Sequence, residues 1–534
     1  MLTLLRRLNR PAAAVIAVAA IAGVIRFAAI DDPQELVFDE VYYAKAGCVQ
    51  VTRASDDVCR VEEGDETYWL ENEWDMGSWV HPPLGKLTVG VGIELFSMSS
   101  FGWRFTSALA GIGVAVITAL MAQLLFAKPV WTFAAGLLIA VDGLNVVQSR
   151  MALLDIHLVF WVTLGFLLLL YDRRWIDRRT ATALAEQSAE ATPPEAGQAP
   201  EAEAERGSSE VRSAEVAQSS AEVRLPRVPS PFLRPWRLAA GAALGAATAV
   251  KWSGAMAIPA AIVLTYVWEF TRRRRAGLGI GSAIRRTLGL ETIGVVVALA
   301  IVPVVAYAIT WIPWFVHFEP SLADWFNQHG EMIEYHRDLR STKLDPSTDT
   351  YTPTHSSYSE AWTWIPMIRP VSYFVQDLGP DIRQVLALGN PVLFWGTMWT
   401  IPYSAWSWWR IRNWVPGFIV VAFAGLYLPW FLVARPQFFF YVLPLTPFMA
   451  LAAVYALRDL SAAYLVIRDA ETGEVAIDPE TGEPAISRRK PYLPFVWGYF
   501  AAAVGLFLWM WPILTAGRIS DVMWKARVWF KGWT

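Results

Sequence analysis

Charge and cysteine are scarce in this chain. Only 17% of its 534 residues are Asp, Glu, Lys or Arg, against about 25% in soluble domains. There are two cysteines and six histidines. Two thiols alone cannot complete a tetrahedral zinc–thiolate site, and they exclude a disulfide-dense secreted module. A net charge of −3 removes the electrostatic basis for binding a polyanion, so no nucleic-acid partner is expected. A GxxxxGK[ST] phosphate loop and a convincing dinucleotide fingerprint are also missing. Apolar side chains, by contrast, make up 55% of the chain, with 28 tryptophans among them. Such a composition excludes a disordered chain and asks whether the apolar residues cross a membrane.

Apolar runs of about 17–25 residues read as membrane-spanning helices. Eleven are expected, near Ala12–Ile30, Trp103–Ala127, Val130–Val147, Met151–Tyr171, Trp236–Val250, Gly254–Phe270, Leu290–Trp311, Pro391–Trp408, Val415–Val433, Phe438–Ala456 and Leu493–Leu514. Trp236–Val250 is short for a span, as is Leu84–Met98, which also carries Lys86 and Glu94. Basic loops stay in the cytoplasm. With Arg6, Arg7 and Arg10 inside, and with Leu84–Met98 lying on the outer face rather than spanning, the basic loops 172–235, 272–275, 410–412 and 458–490 also fall inside. The basic C-terminal tail is a mild exception. The expected class is an all-α, multi-pass protein of the plasma membrane. Its N-terminal portion is 1–171 with an outer loop 31–102, and a second membrane portion, 236–457, carries an outer loop 312–390. The last helix and tail occupy 492–534. The segment 172–235, rich in Ala, Glu, Ser and Pro, reads as a disordered inner loop, and so does 458–491, with its repeat ETGEVAIDP and ETGEPAI. Cys48 and Cys59 fall in the first outer loop, where a disulfide and two free thiols are both open readings.

Chemistry collects at the outer ends of the spans. Asp39 and Glu40 follow the first span, where a partly desolvated carboxylate suits a general base, although the pair could equally cap a helix. His81-Pro82-Pro83-Leu84-Gly85-Lys86 places an imidazole and an amine behind two prolines. Arg104, Arg150, Lys251 and Arg435 lie at the outer membrane edge, where cations are costly unless they serve a purpose. Converging cations suit a phosphate; Arg150 with Asp155, little more than a helical turn on, could instead be a structural ion pair. The second outer loop holds His317, His329, His336 and His355, then Tyr358, Trp364 and Arg369. Its aromatics suit a membrane interface or a sugar face, and its histidines lack metal-ligand spacing, so no metal or other cofactor is expected.

Seven stretches taken together resemble the protein O-mannosyltransferases. They are FDEVYYAKAG (Phe38–Gly47), HPPLGK (His81–Lys86), WRFTSALAG (Trp103–Gly111), QSRMALLDIHLVFW (Gln148–Trp161), VKWSG (Val250–Gly254), HSSYSEAWTW (His355–Trp364) and RPQFFFYVLPLTPF (Arg435–Phe448). The resemblance implies a GT-C glycosyltransferase fold. It also implies a polyprenyl-phosphate-mannose donor and Ser/Thr acceptors on proteins crossing the membrane, with the secretion translocon as a further partner. Asp39 would be the base of an inverting displacement, with Glu40 orienting it or the acceptor. Arg150, Arg435, Arg369 and Lys251 would meet the phosphate, with Asp155, Arg104, His81 and Lys86 around them, and His355, Tyr358 and Trp364 would form the acceptor loop. The second outer loop is too short for the β-trefoil insertion of eukaryotic members, which points to a bacterial type. The competing expectations are another polyprenyl-phosphate-sugar transferase acting on a glycolipid or polysaccharide, and a membrane transporter.

Overall fold

The computed structural model describes residues 10–52, 59, 80–191, 234–345, 350–463 and 490–533. In chain order the helices are α1 (Pro11–Phe27), α2 (Glu40–Thr52), α3 (Leu84–Phe96), α4 (Ser100–Phe126), α5 (Pro129–Ala140), α6 (Gly143–Arg150), α7 (Leu154–Ala191), α8 (Pro235–Val250) and α9 (Ala257–Arg275). They continue with α10 (Ile280–Val296), α11 (Val302–Ile309), α12 (Ile312–Phe318), α13 (Leu322–Asp338), α14 (Pro391–Ile411), α15 (Trp414–Tyr427), α16 (Thr446–Ala462), α17 (Leu493–Leu514) and α18 (Asp521–Lys525). All eleven expected stretches are largely helical. Among the described residues, seven continuous stretches are long and apolar enough to cross a membrane, eight if the bent pair α5–α6 is one span. The helices α1, α8 and α14 fall short of that standard in length or hydropathy. At 13 residues, α3 is too short for a span, about 20 Å long.

Three features depart from the sequence reading. First, the chain is not purely helical. A hairpin of β1 (Thr342–Asp345) with β2 (Thr350–Pro353), and a sheet ordered β3 (Val371–Asp377), β4 (Asp381–Ala387), β5 (Ile519–Ser520), follow α13 and close against the C-terminal tail. Second, residues 172–191, expected to belong to a disordered loop, extend α7. Residues 192–233 of that loop, the 464–489 repeat segment and Arg6 with Arg7 lie outside the described residues. Third, Val130–Val147 is broken by 60° between α5 and α6. Asp142 caps α6 there: its carboxylate accepts from Asn145 N (3.0 Å) and, across the fold, from Asn390 N (2.7 Å). A buried aspartate so satisfied fixes the bend.

Two charged layers lie at opposite ends of α7 and α8. At one end Lys251, just past α8, meets Asp155 at the start of α7. At the other, Asp172 takes Arg234 Nε (3.0 Å), Arg234 reaches Glu269 (2.6 Å), and Arg237 and Arg273 reach Glu291 (3.0 and 2.9 Å). All six of these side chains are buried. Asp155 and Asp172 are 17 positions apart on one helix, so the layers are separated by about 25 Å, close to the thickness of a bilayer core. The short α8 is long enough because each of its ends is tied into one layer.

Candidate active site

Asp39 stands where α2 begins. The preceding Phe38 has φ of 54°, a left-handed conformation uncommon for a bulky residue. Its ring is held there by stacking on Tyr373 at 4.3 Å and by an edge contact with Phe440 at 5.9 Å. This clamp turns the half-buried Asp39 side chain toward the Lys251–Asp155 layer. Burial raises its pKa from 3.8 to about 6, against the lowering pull of Lys251; Asp155 raises it further, and the Tyr43 hydroxyl, 3.5 Å from Oδ2, lowers it. A carboxylate tuned to about 6 is still ionised at neutral pH and is a stronger base than an ordinary aspartate.

Around Asp39 the cations differ sharply in what they have left to offer. Lys251 Nζ is 2.7 Å from Asp155 Oδ2, so that pair is neutral overall. Arg435, half-buried, lies within ion-pair distance of no carboxylate among the described residues. Its Nη1 meets His336 Nδ1 at 2.6 Å, its Nη2 meets Tyr441 Oη at 3.4 Å, and its buried Nε has no partner. His81 lies between Tyr43 (ring centroids 6.3 Å) and His336 (5.8 Å). Burial, with Lys251, His336, Arg435 and Lys86 close by, keeps its pKa well below the usual imidazole value. Lys86 Nζ donates to the His81 carbonyl at 2.9 Å, bracing the loop that presents the ring.

Several expected site residues serve the scaffold instead. Glu40 does not face the site: it forms a fully buried pair with Arg104 (Nε–Oε1 2.8 Å, Nη2–Oε2 2.7 Å) and accepts from Val37 N and Ala152 N. Arg104 gives its other donors to the carbonyls of Ile30, Pro33 and Glu35, which leaves none for a phosphate. Arg150 is the last residue of α6 and pairs with no acid among the described residues, Asp155 included. Its guanidinium caps the end of α1 through the carbonyls of Ile25, Arg26, Ala28 and Ala29, orphan acceptors that a cation satisfies well. Trp364 is fully buried, its Nε1 donating to Ser359 and its ring packed on Trp430 and Tyr441. The two cysteines are joined, with Cα atoms 5.8 Å apart.

Of the other acceptor-loop residues, Tyr358 borders a separate groove and His355 does not. A cavity of about 710 Å³ is lined by Tyr358, Glu360, Trp362, Arg369, Trp395 and Phe530, among others. Arg369 donates to the Tyr358 carbonyl at 3.2 Å across its rim. His355 is edge-on to Phe438 at 4.9 Å, beside Arg435 in sequence. Trp362, exposed and bonded to Glu360, is a groove residue the sequence reading passed over. It named His336 without giving it a role, although its seven-residue spacing from His329 puts both on one face of a helix, and it passed over Tyr441, indistinguishable in sequence from its aromatic neighbours. Among the described residues, no group of three or more His, Cys, Asp or Glu side chains could hold a metal ion.

Comparison with known proteins matches two parts of the chain to one family. Residues 16–185 match "Dolichyl-phosphate-mannose-protein mannosyltransferase", and residues 321–533 match the "C-terminal four TMM region of protein-O-mannosyltransferase". The chain belongs to the protein O-mannosyltransferase family. It is 27% identical to the polyprenol-phosphate-mannose–protein mannosyltransferase of Mycolicibacterium smegmatis, over 97% of this chain and 92% of that protein. The protein of the same name from Corynebacterium glutamicum is 26% identical, over 88% of each. In fold the chain is similar to the S. cerevisiae protein O-mannosyltransferase Pmt1–Pmt2 complex bound to the sugar donor, with a TM-score of 0.66 at 13% identity over 98% of this chain and 92% of that one. The expected GT-C fold is therefore the observed one. Within the family match, Asp39 and Asp155 lie in the first segment and His336, Arg369 and Arg435 in the second, while Lys251 lies between them. The candidate site thus draws on both matched segments and on Lys251 in the α8–α9 connection that joins them.

Proposed function

We propose that this protein transfers mannose from a polyprenyl-phosphate-mannose donor to Ser/Thr hydroxyls of proteins, at the extracytoplasmic face of the plasma membrane. The observation that carries the reading is a base with pKa near 6 facing the Lys251–Asp155 pair and joined through Tyr43, His81 and His336 to an arginine that no described carboxylate neutralises. Asp39 takes the proton of the acceptor hydroxyl while its oxygen attacks the anomeric carbon from the side opposite the phosphate. The bond from that carbon to the phosphate oxygen breaks, the configuration inverts, and polyprenyl phosphate leaves with one more negative charge than the donor carried. Arg435 meets that charge as it develops, whereas Lys251, already paired, holds Asp155 and tunes Asp39.

Two further features support this assignment. Leu158, Val162, Leu426 and Pro444 lie with Asp155 and Tyr441 around a slot of only about 10 Å³; these side chains form an apolar surface next to the polar groups, against which the first isoprenes of a lipid tail would pack. The groove of Tyr358, Trp362 and Arg369 suits an extended acceptor segment, since ring faces and one cation suit a chain with few large side chains. A lipid-linked donor fits a face where nucleotide sugars are absent, and acceptors emerging from the secretion translocon would reach Asp39 before folding.

The test is transfer from labelled polyprenyl-phosphate mannose to a synthetic Ser/Thr peptide by membranes carrying the protein. Wild type is expected to mannosylate the peptide. Asp39→Asn is expected to lose at least about a hundredfold in rate, the scale of general-base catalysis, with expression unchanged. Near-normal transfer by that variant removes Asp39 from the chemistry.

A further inference from the structure

Helix α13 turns one face to the protein. Trp325, His329, Met332 and His336 fall along that face at three- and four-residue spacing. Met332 is fully buried against Trp311. His329 Nδ1 bonds the Trp325 carbonyl (2.8 Å) and its Nε2 meets Tyr307 Oη (2.7 Å), which itself takes Trp252 Nε1 (3.2 Å). These bonds fix the helix to the residue next to Lys251. Two turns on, His336 joins three segments that are distant in sequence: its own helix, Arg435 through Nδ1 (2.6 Å), and Val80 through Nε2 (3.0 Å).

The chemistry of these partners sets the protons. A guanidinium only donates, so His336 Nδ1 accepts, and Nε2–H donates to the Val80 carbonyl. The ring is therefore neutral, as expected where burial and Arg435 hold its pKa down to about 4. A carboxylate in place of His336 would orient Arg435 equally well but would cancel its charge. A neutral imidazole fixes the geometry and leaves Arg435 its full positive charge for an anion.

We infer that His336 is a positioning residue that holds the Arg435 guanidinium against the donor's phosphate, so that α13 becomes part of donor recognition. The inference rests on the proposed function and adds to it a residue on the second outer loop whose effect is exerted through Arg435.

Two conservative substitutions separate its two bonds. In His336→Asn the amide oxygen sits where Nδ1 sat and keeps the Arg435 contact. In His336→Gln the amide reaches the place of Nε2 and keeps the Val80 contact. With purified protein, synthetic polyprenyl-phosphate mannose and a Ser/Thr peptide, His336→Ala is expected to raise donor KM about tenfold, the scale of one lost charge-assisted hydrogen bond. Peptide KM should stay within about twofold, while kcat falls in step, because Arg435 also meets the charge that develops on the leaving phosphate. His336→Asn should restore most of the donor KM, and His336→Gln should not. The opposite pattern, rescue by Gln alone, overturns the inference and assigns His336 to tying α13 to the first loop; so does an equal donor KM in all three variants. Combining His336→Ala with Arg435→Lys should give less than the sum of their separate effects, and strict additivity also overturns it. A wild-type protein that transfers no mannose defeats the functional reading instead, which keeps the two failures distinct.

Discussion

Asp39 and Glu40 are adjacent, chemically alike and opposite in role. Glu40 sits in a bidentate, fully buried pair with Arg104, and removing one member of such a pair strands a charge, at a cost of about 3–5 kcal/mol. Glu40→Ala should therefore lower the thermal stability of the detergent-solubilised protein and its yield, while Asp39→Asn leaves both near wild type; equal stabilities for the two variants would show that the Glu40 pair is not structural. Asp39 also sets the pH dependence. Its proton is held with a pKa of about 6, and the reaction needs it absent. The kcat/KM for peptide should be level above about pH 7, half its maximum near 6, and fall tenfold per unit below that. A profile still level at pH 5 would mean that burial does not raise Asp39 or that Asp39 is not the base. The sequence supplied the pair but not the division of labour, because an N-terminal position on α2 aims consecutive side chains about 100° apart and only the packing decides which one meets Arg104.

At the scale of elements, the site depends on how closely α2 and α3 approach. A β-carbon at Gly90 would lie 2.2 Å from the Gly47 carbonyl oxygen, and one at Gly47 would lie 2.7 Å from the Lys86 carbonyl oxygen. Both obstacles are backbone, which cannot rotate away. Gly90→Val should push the helices apart and destabilise the fold by about 1–3 kcal/mol. It should also reduce transfer more than its stability loss explains, because α2 carries Asp39 and α3 leads from His81 and Lys86. Thermal unfolding beside peptide transfer at low temperature checks this, and unchanged activity in the variant would detach the helix contact from the site. Strands β1–β5 were invisible in the sequence for a related reason. They are short, and their aromatic and β-branched residues resemble the interfacial residues of a membrane loop, so periodicity had no length over which to register.

Across the whole molecule, two charged layers bracket the apolar body of the fold. The Lys251–Asp155 end holds the candidate site; at the other end Arg234, Arg237 and Arg273 balance Asp172, Glu269 and Glu291, and Arg173, Arg174, Arg178, Arg179, Arg272, Arg274 and Arg275 beside them make that end arginine-rich. If the arginine-rich end is cytoplasmic, as charge bias requires, an impermeant maleimide applied to intact cells should label Ser356→Cys and spare Gly279→Cys until the membrane is opened. Both native cysteines are joined in a disulfide and add little background. The reverse labelling would put Asp39 in the cytosol and defeat the proposed reaction.

The amino-acid pattern alone determined a polytopic helical membrane protein with acids and cations at the span ends, because apolar run length and charge bias are local properties that no partner can rewrite. It also held the family motifs, since those are short and contiguous. Only the tertiary structure decided which cations remain available. Arg104 and Arg150 look in sequence like Arg435, yet Glu40 and loop carbonyls take every donor of Arg104, and the end of α1 takes both terminal nitrogens of Arg150. A donor's availability depends on which acceptors reach it from elsewhere in the chain. For Arg104 and Arg150 those acceptors lie more than sixty residues away, a relation that neither composition nor spacing encodes.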